Sequence, residues 1–186
     1  MLHLYAVLLG GRAPGCHIEL HDVVFVVGPS LEDCYPHLVN KWFGGLTKSL
    51  HIDSSVELKY VDGYEVVITQ GPAKEYEQKL YFANFGGYQP GIFGEMHEVN
   101  FYVAPSRTDA LARAKSELCV GAHLQHSDDH LVVDDIIAID NLGPYAIELK
   151  PTTQACNLEI ISHYRKLNLP HIIEKAEELK NEHAQV

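Results

Sequence analysis

The chain has 186 residues, of which 46% are apolar and 21% are charged, and its formal net charge at pH 7 is -11. This composition is typical of a folded protein with one domain of good size or two small ones. Nucleic acids and anionic membrane surfaces attract basic faces, so the acidic balance argues against both as partners. A small molecule or another protein remains as the expected partner, and the oligomeric state stays open.

The N-terminal stretch MLHLYAVLLGG is apolar, but it lacks a basic leader and is too short to span a bilayer, and no other stretch is long enough. The four cysteines, Cys16, Cys34, Cys119 and Cys156, are scattered and include no Cys-x-x-Cys pair. This argues against a disulfide framework or a zinc knuckle. The sequence therefore favours a cytoplasmic protein.

An internal repeat organises most of the chain. A shift of 76 positions aligns GGRAPGCHIELHD, which begins at Gly10, with GGYQPGIFGEMHE, which begins at Gly86, and the register holds as far as Asp33 and Asp109. Such a long match without a gap indicates an internal duplication. The expected parts are repeat copy one at 1–72, repeat copy two at 73–150 and a C-terminal helical extension at 151–186.

Each copy begins with two predicted strands. The apolar runs LHLYAVLLGG and LYFANFGG each stop at a glycine pair, and the runs DVVFVVGPS and EVNFYVAPS each stop at a proline. Alternation along the second strand assigns Val23 and Phe25 to the core face in copy one, and Val99 and Phe101 in copy two. Counting back by twos, we expect the same face to hold Glu19, His21, Glu95 and His97, which are therefore predicted to be buried.

A helix is expected next in each copy. Ser30-Leu-Glu-Asp33 and Ser106-Arg-Thr-Asp109 have the residues of a helix N-terminus that caps itself, while Pro36 is predicted to bend the first helix or delay its start. The residues predicted to be buried by these helices are Tyr35, Leu38, Val39 and Trp42 in copy one and Leu111, Ala114 and Leu118 in copy two.

A hairpin completes each copy. In VELKYVDGYEVVI the pair Asp62-Gly63 suits a type I′ turn of two residues, and LVVDDIIAIDNLGPYAIEL predicts the same hairpin with a longer turn that contains Gly-Pro. The predicted fold class is α+β, with duplicated ββαββ units whose antiparallel sheets pack about a pseudo-twofold axis, plus a C-terminal helix. That amphipathic helix is expected at 170–183, and a short helix is expected at 155–167.

The pattern LYxxxxGGxxPGxxxExHDVxFVVGxS, followed by a helix, LHIDS and a VDGY hairpin, resembles a bacterial family catalogued as domain of unknown function 1543. The resemblance covers nearly all of residues 2–150. It implies one or two copies of the domain per chain, and it implies no activity.

Paired acids and imidazoles recur in both copies and form the candidate site. Glu19-Leu-His21 matches Glu95-Met-His97, and a second pair follows each helix, His51-Ile-Asp53 in copy one and His126-Ser-Asp128 in copy two. Two imidazoles and two carboxylates per copy are a ligand set suited to a divalent metal such as zinc, manganese or iron. The same residues could instead hydrogen-bond the glycine-rich loop, or act as acid and base on a small ligand.

The glycine-rich segment is a candidate ligand-binding loop. Its residues are Gly10, Gly11, Pro14 and Gly15 in copy one and Gly86, Gly87, Pro90 and Gly91 in copy two. Glycine lets a backbone approach a ligand, but a glycine pair before a turn also supplies positive φ angles. A phosphate-binding loop is disfavoured because no helix follows the glycines directly.

Two functions of different classes follow from these residues. The sequence favours a binding or interaction module built from a tandem repeat, because no nucleophile motif such as G-x-S-x-G is present. The alternative is a metal-dependent hydrolase or oxygenase that uses the Glu-x-His and His-x-Asp pairs. A structural partner subunit without a ligand is the third possibility.

Overall fold

The computed structural model describes residues 1–45, 49–71, 76–120, 133–140 and 142–184. Within them the strands, in chain order, are β1 (His3–Gly11), β2 (Leu20–Gly28), β3 (His51–Glu57), β4 (Tyr60–Val61), β5 (Tyr64–Gln70), β6 (Lys79–Gly87), β7 (Met96–Ala104), β8 (Val133–Ala138), β9 (Tyr145–Pro151) and β10 (Ile161–Lys166). The helices are α1 (Tyr35–Lys41), α2 (Arg107–Glu117) and α3 (Pro170–Ala184), and a 3-10 turn at Glu32–Cys34 leads into α1.

The chain divides into two compact units. Unit 1 comprises Met1–Lys59 and Asn157–Val186, and unit 2 comprises Tyr60–Cys156. Unit 1 contains one sheet in the order β10-β3-β1-β2, whereas unit 2 contains the sheets β7-β6-β8 and β4-β5-β9. These pairings are antiparallel, which confirms the predicted α+β class. Because β5 and β9 pair, unit 2 holds strands of both copies, and the repeat boundaries after 72 and 150 stay a prediction from the sequence.

The two copies share local geometry as well as sequence. β1 pairs with β2, and β6 pairs with β7, in registers related by the same shift of 76 residues. The turn after each first strand is also repeated, because Cys16 N donates to Ala13 O and Ile92 N donates to Gln89 O. Gly15 and Gly91 both have a φ of 85°, as the position after proline in a type II turn requires.

The predicted helix start is confirmed in copy two, where Ser106 caps α2, and in copy one the corresponding hydrogen bond lies at the 3-10 turn that precedes α1. In each, the serine hydroxyl accepts a hydrogen bond from the backbone N–H three residues on, in the pairs Ser30–Asp33 and Ser106–Asp109. Pro36 lies in the first turn of α1, which begins only after the 3-10 turn, as its ring predicts. The predicted buried residues of copy one and Ala114 and Leu118 of copy two lie in the core, and Leu111 is partly buried.

The predicted core face is wrong for β2 and only partly right for β7. In β2 the buried valines that pack with the helices are Val24 and Val26, and Val23 is only half-buried. In β7 Val99 is 47% exposed, whereas Phe101 is buried as predicted. Both faces of DVVFVV carry apolar residues, so alternation alone does not determine which face meets the helices.

The predicted type I′ turn is confirmed, because Asp62 and Gly63 have φ angles of 54° and 82°. Arg113 and the Val103 N–H donate to the Asp62 carboxylate. Burial alone would raise the pKa of Asp62, but these hydrogen bonds and the Arg113 charge lower it overall. In copy two the bridge Leu142↔Tyr145 encloses two residues, so this turn is shorter than predicted. The predicted hairpin is wrong beyond this bridge, because β8 pairs with β6 and β9 pairs with β5.

The short helix expected at 155–167 is also wrong, because the segment contains strand β10, which pairs with the edge of β3. Ile160, Ile161 and Tyr164 suit an extended strand, and pairing with an available edge decides between strand and helix. The predicted C-terminal helix is confirmed as α3, which buries Ile172 and Ala176 in the core of unit 1.

No helix among the described residues is long and apolar enough to cross a membrane. All four cysteines are free thiols, and Cys34 is buried. Burial, with a contribution from Asp33 and Glu32, raises the pKa of the Cys34 thiol to about 12. A cytoplasmic location stays a prediction.

Candidate functional site

In unit 1, candidate side chains lie on three neighbouring strands around Gly10. Gly10 of β1 pairs with His21 of β2 on one side and with His51 of β3 on the other. A Cβ atom on Gly10 would lie 2.6 Å from both Asp53 Oδ2 and His51 Nε2. The absence of a side chain at Gly10 therefore gives the imidazole and the carboxylate the space they occupy.

A β-bulge brings His51 and Asp53 to the same place. Leu9 pairs with Ile52, but the preceding residue, Leu8, pairs with Ser54, so Asp53 has no partner on β1. Bulges re-aim side chains in this way and occur often beside functional sites. β6 has a corresponding irregularity between Asn84 and Phe85, at the same shift of 76 residues.

The Glu-x-His and His-x-Asp pairs of copy one meet here. Asp53 lies between the two imidazoles, with His21 Nε2 3.1 Å from Oδ2 and His51 Nε2 3.1 Å from Oδ1. Glu19 lies slightly further out, with one carboxylate oxygen 3.9 Å from His21 Nε2 and the other 3.8 Å from His51 Nε2. We call Glu19, His21, His51 and Asp53 the acid–imidazole cluster.

The prediction that Glu19 and His21 are buried is wrong, and the buried member of the cluster is His51. The side chain of His21 is 49% exposed and that of Glu19 is 39% exposed, whereas His51 is 1% exposed. The reason is the strand phase, since His21 lies on the β2 face opposite Val24 and Val26. The cluster thus has one buried member, His51, and two members that reach solvent, His21 and Glu19.

Hydrogen bonding determines the proton position on His51. Its Nδ1 lies 2.5 Å from the Ser49 carbonyl oxygen, which can only accept, so Nδ1 carries the proton that it donates. In a neutral ring Nε2 then carries no proton, and its lone pair faces the Asp53 carboxylate. Two acceptors in contact repel each other unless a positive species lies at them.

Asp53 gives a second, independent indication that the cluster has more hydrogen-bond acceptors than donors. Its Oδ2 is buried and has no hydrogen-bond partner, although His21 Nε2 is 3.1 Å away. That contact satisfies the distance for a hydrogen bond but not its direction, so we count it as an electrostatic contact. An unsatisfied buried oxygen costs roughly 1–3 kcal/mol, and more when it is charged.

The glycine pairs do not supply positive φ angles, because Gly10, Gly11, Gly86 and Gly87 lie within β1 and β6. A Cβ on Gly11 would lie 3.0 Å from the Trp42 ring. In copy one, each glycine of the pair therefore makes room for a different side chain.

The remainder of the expected ligand-binding loop is formed by the turns at Pro14-Gly15 and Pro90-Gly91, where a Cβ on either glycine would meet open space. A ligand role for these eight loop residues stays a prediction.

Copy two has part of the same set. His97 pairs with Gly86, its Nε2 lies 3.7 Å from Glu95 and its Nδ1 lies 3.3 Å from Asn84 Oδ1. Glu95 and His97 are exposed rather than buried, which corrects the prediction for the reason given above. His126 and Asp128 lie outside the described residues. Across the described part of the chain, no group of three or more His, Cys, Asp or Glu side chains is arranged so that it could hold a metal ion.

The site contains one further residue, Tyr164, that the sequence did not predict. Tyr164 of β10 places its ring 4.2 Å from the His51 ring, centroid to centroid, at an interplanar angle of 34°. The sequence predicts a helix for this segment and therefore no pairing with β3. The sequence signal that could have identified it is the β-branched and aromatic content of EIISHYRKL.

Comparison with known proteins gives a family and a fold. Residues 16–68 and 93–149 match the family described as Domain of Unknown Function (DUF1543). The crystal structure of protein Il1583 from Idiomarina loihiensis is similar, with a TM-score of 0.67 and 33% sequence identity over 90% of this chain and 98% of that chain. No curated protein matches. The two matched segments cover more than half of the sequence, and the chain belongs to the DUF1543 family, with one segment in each tandem copy.

Proposed function

We propose that the protein is a binding module and that the acid–imidazole cluster of unit 1 binds a divalent first-row metal ion. The observation that carries the proposal is the position of His51 Nε2. Because Nδ1 donates its proton to Ser49 O, the lone pair of Nε2 is directed at the Asp53 carboxylate. A positive species at Nε2 removes the repulsion and also satisfies the buried oxygen of Asp53.

The distances limit which species can lie there. Zinc bonds of about 2.0–2.2 Å place neighbouring donor atoms of a tetrahedral shell about 3.3–3.6 Å apart. The imidazole–carboxylate separations in the cluster run from 3.1 Å to 3.9 Å, on either side of that value. An organic ammonium group needs acceptors about 4.5 Å apart, since each of its hydrogen bonds is about 2.8 Å long. These separations are closer to those of a metal shell than to those around an ammonium group, which favours a metal ion or a single proton over an amine.

The side chains of the cluster are not arranged to hold a metal ion as they stand, so they have to move when one binds. Asp53 now contacts both imidazoles directly, and binding requires these contacts to open by a few tenths of an ångström while Glu19 closes in. Glu19 and His21 are partly exposed, so they can turn without disturbing the core. His51 is held by its bond to the Ser49 carbonyl, the kind of outer partner that usually orients a metal-binding imidazole.

Calorimetric titration of tag-free, chelator-treated protein with Zn²⁺ tests the proposal. We expect stoichiometric binding by the wild type and loss of at least tenfold in affinity for His51→Gln and for Asp53→Asn. His171→Gln is the matched control, because His171 is an exposed histidine of α3 in the same unit. It should bind like the wild type.

The competing interpretation places a proton at Nε2, so that a charged His51 ring holds Asp53 and Glu19 together for structural reasons. Under it the wild type takes up no Zn²⁺, and both nitrogens of the His51 ring carry protons in ¹⁵N NMR spectra. That result would contradict the proposal. Hydrolase or oxygenase activity stays a prediction, for which metal binding is the necessary first step.

A further inference from the structure

Tyr164 belongs to the part of unit 1 that lies outside the two family-matched segments. Tyr164 is 63% exposed, yet His51, whose ring it contacts, is 1% exposed. An exposed aromatic ring that packs on a buried polar ring covers it. The outer face of the tyrosine ring contacts solvent, and its inner face keeps water away from the imidazole.

The register of β10 explains how Tyr164 reaches His51. Ser162 pairs with Ser54 and Arg165 pairs with Ile52, so the two residues between them lie opposite the bulged Asp53. Tyr164 is one of these two residues. The irregularity that removes Asp53 from the β1 ladder therefore coincides with the irregularity that places the tyrosine over His51.

We infer that Tyr164 is a positioning residue that covers His51 and limits the exchange of the bound cation. The inference rests on the proposed function for the identity of the cation. The cover keeps water away from the buried imidazole, and the apolar shell of a metal site controls solvent access in this way. The C-terminal addition to the repeat thus completes the site of unit 1.

The rate of zinc release tests this role. Zinc-loaded protein is mixed with an excess of a chromogenic chelator, and the release rate is compared for the wild type, Tyr164→Ala and Tyr164→Phe. We expect release from Tyr164→Ala to be about tenfold faster, and Tyr164→Phe to match the wild type because it keeps the ring. Tyr88→Ala, at an exposed tyrosine of unit 2, is the control and should not change the rate.

A second readout does not depend on metal. Diethylpyrocarbonate acylates accessible neutral imidazoles, and peptide mass mapping of the metal-free protein locates the modified histidines. We expect His51 to be protected in the wild type and in Tyr164→Phe and modified in Tyr164→Ala. His51 protected equally in all three variants, with equal release rates, would overturn the inference and leave the metal proposal standing. Modification of His51 in Tyr164→Ala by itself, in a protein that binds no zinc, would support the cover and overturn the metal proposal.

Discussion

Gly10 and Gly11 are adjacent in β1, and each makes room for a side chain of a different kind. A Cβ on Gly10 would meet the carboxylate of Asp53 and the imidazole of His51, whereas a Cβ on Gly11 would meet the indole of Trp42. Since successive residues of a strand face opposite sides, one glycine serves the acid–imidazole cluster and the other serves the core. The pair GG therefore links the candidate site to the packing of the helices.

Alanine substitutions at these two positions should affect different properties, Zn²⁺ affinity at Gly10 and unfolding free energy at Gly11. For Gly10→Ala we expect at least a tenfold loss of Zn²⁺ affinity, because the new methyl group displaces the tips of Asp53 and His51. For Gly11→Ala we expect a loss of about 1–3 kcal/mol of unfolding free energy from overpacking against Trp42. Calorimetry and chemical denaturation of both variants measure the two effects. Equal affinities in Gly10→Ala and Gly11→Ala would contradict this assignment.

Alanine substitution of the turn glycines, Gly15 and Gly91, should lower the unfolding free energy by similar amounts in the two copies. Gly15 and Gly91 share a φ of 85° and have open space where a Cβ would lie, so alanine introduces backbone strain without a collision. We expect each substitution to cost about 1–2 kcal/mol, with no change in metal binding. Urea denaturation of Gly15→Ala and Gly91→Ala gives the comparison. A cost found at one turn only would show that the two turns are not energetically equivalent.

Asp62→Asn should make the protein less stable in a pH-dependent way. Asparagine retains the left-handed turn conformation, so the variant removes the charge that Arg113 and the Val103 N–H stabilise. The pKa of Asp62 is lowered in the fold, so its contribution is fully present above the unfolded value of 3.8 and is lost as the pH falls through the lower folded value.

At pH 7 we expect Asp62→Asn to cost about 1–2 kcal/mol, a range reduced for the partial exposure of Arg113. Below the folded pKa the wild type and the variant should converge in stability. Denaturation curves collected between neutral and strongly acidic pH test this. A difference that stays constant over the whole range would show that the Asp62 charge is not what stabilises the turn.

The sequence predicts the parts of the fold that depend on short-range patterns. The turn at Asp62-Gly63, the serine caps and the delay caused by Pro36 each follow from the residues at those positions. The exposure of His21 could not be predicted, because both faces of β2 are apolar and only the helices determine which is the core. Tyr164 was missed because pairing between β10 and β3 is a contact over more than a hundred residues.

Within the site, the sequence provided the residue types and the structure provided their convergence. Spacing and repetition alone group Glu19, His21, His51 and Asp53 in the sequence. The bulge that brings Asp53 beside His51 has no sequence signature, since it arises where Leu8 and Leu9 shift their partners on β3.

Cys34 should resist alkylation until the protein unfolds. The residue is buried, and its pKa is raised to about 12 by burial and by Asp33 and Glu32, so at pH 8 only about one thiol in ten thousand is ionised. Cys156 is exposed and should react first. Iodoacetamide labelling followed by peptide mapping, with and without denaturant, measures the order. Labelling of Cys34 at the rate of Cys156 in the folded protein would contradict the structure.

The metal content of tag-free protein tests the central claim most directly. Wild-type protein and His51→Gln are incubated with Zn²⁺, desalted and analysed for bound metal, and their melting temperatures are then recorded with and without chelator. We predict stoichiometric metal in the wild type that is lost in His51→Gln, and a melting temperature that falls with chelator in the wild type only. Wild-type protein that retains no stoichiometric metal, and whose melting temperature does not respond to chelator, would contradict the account.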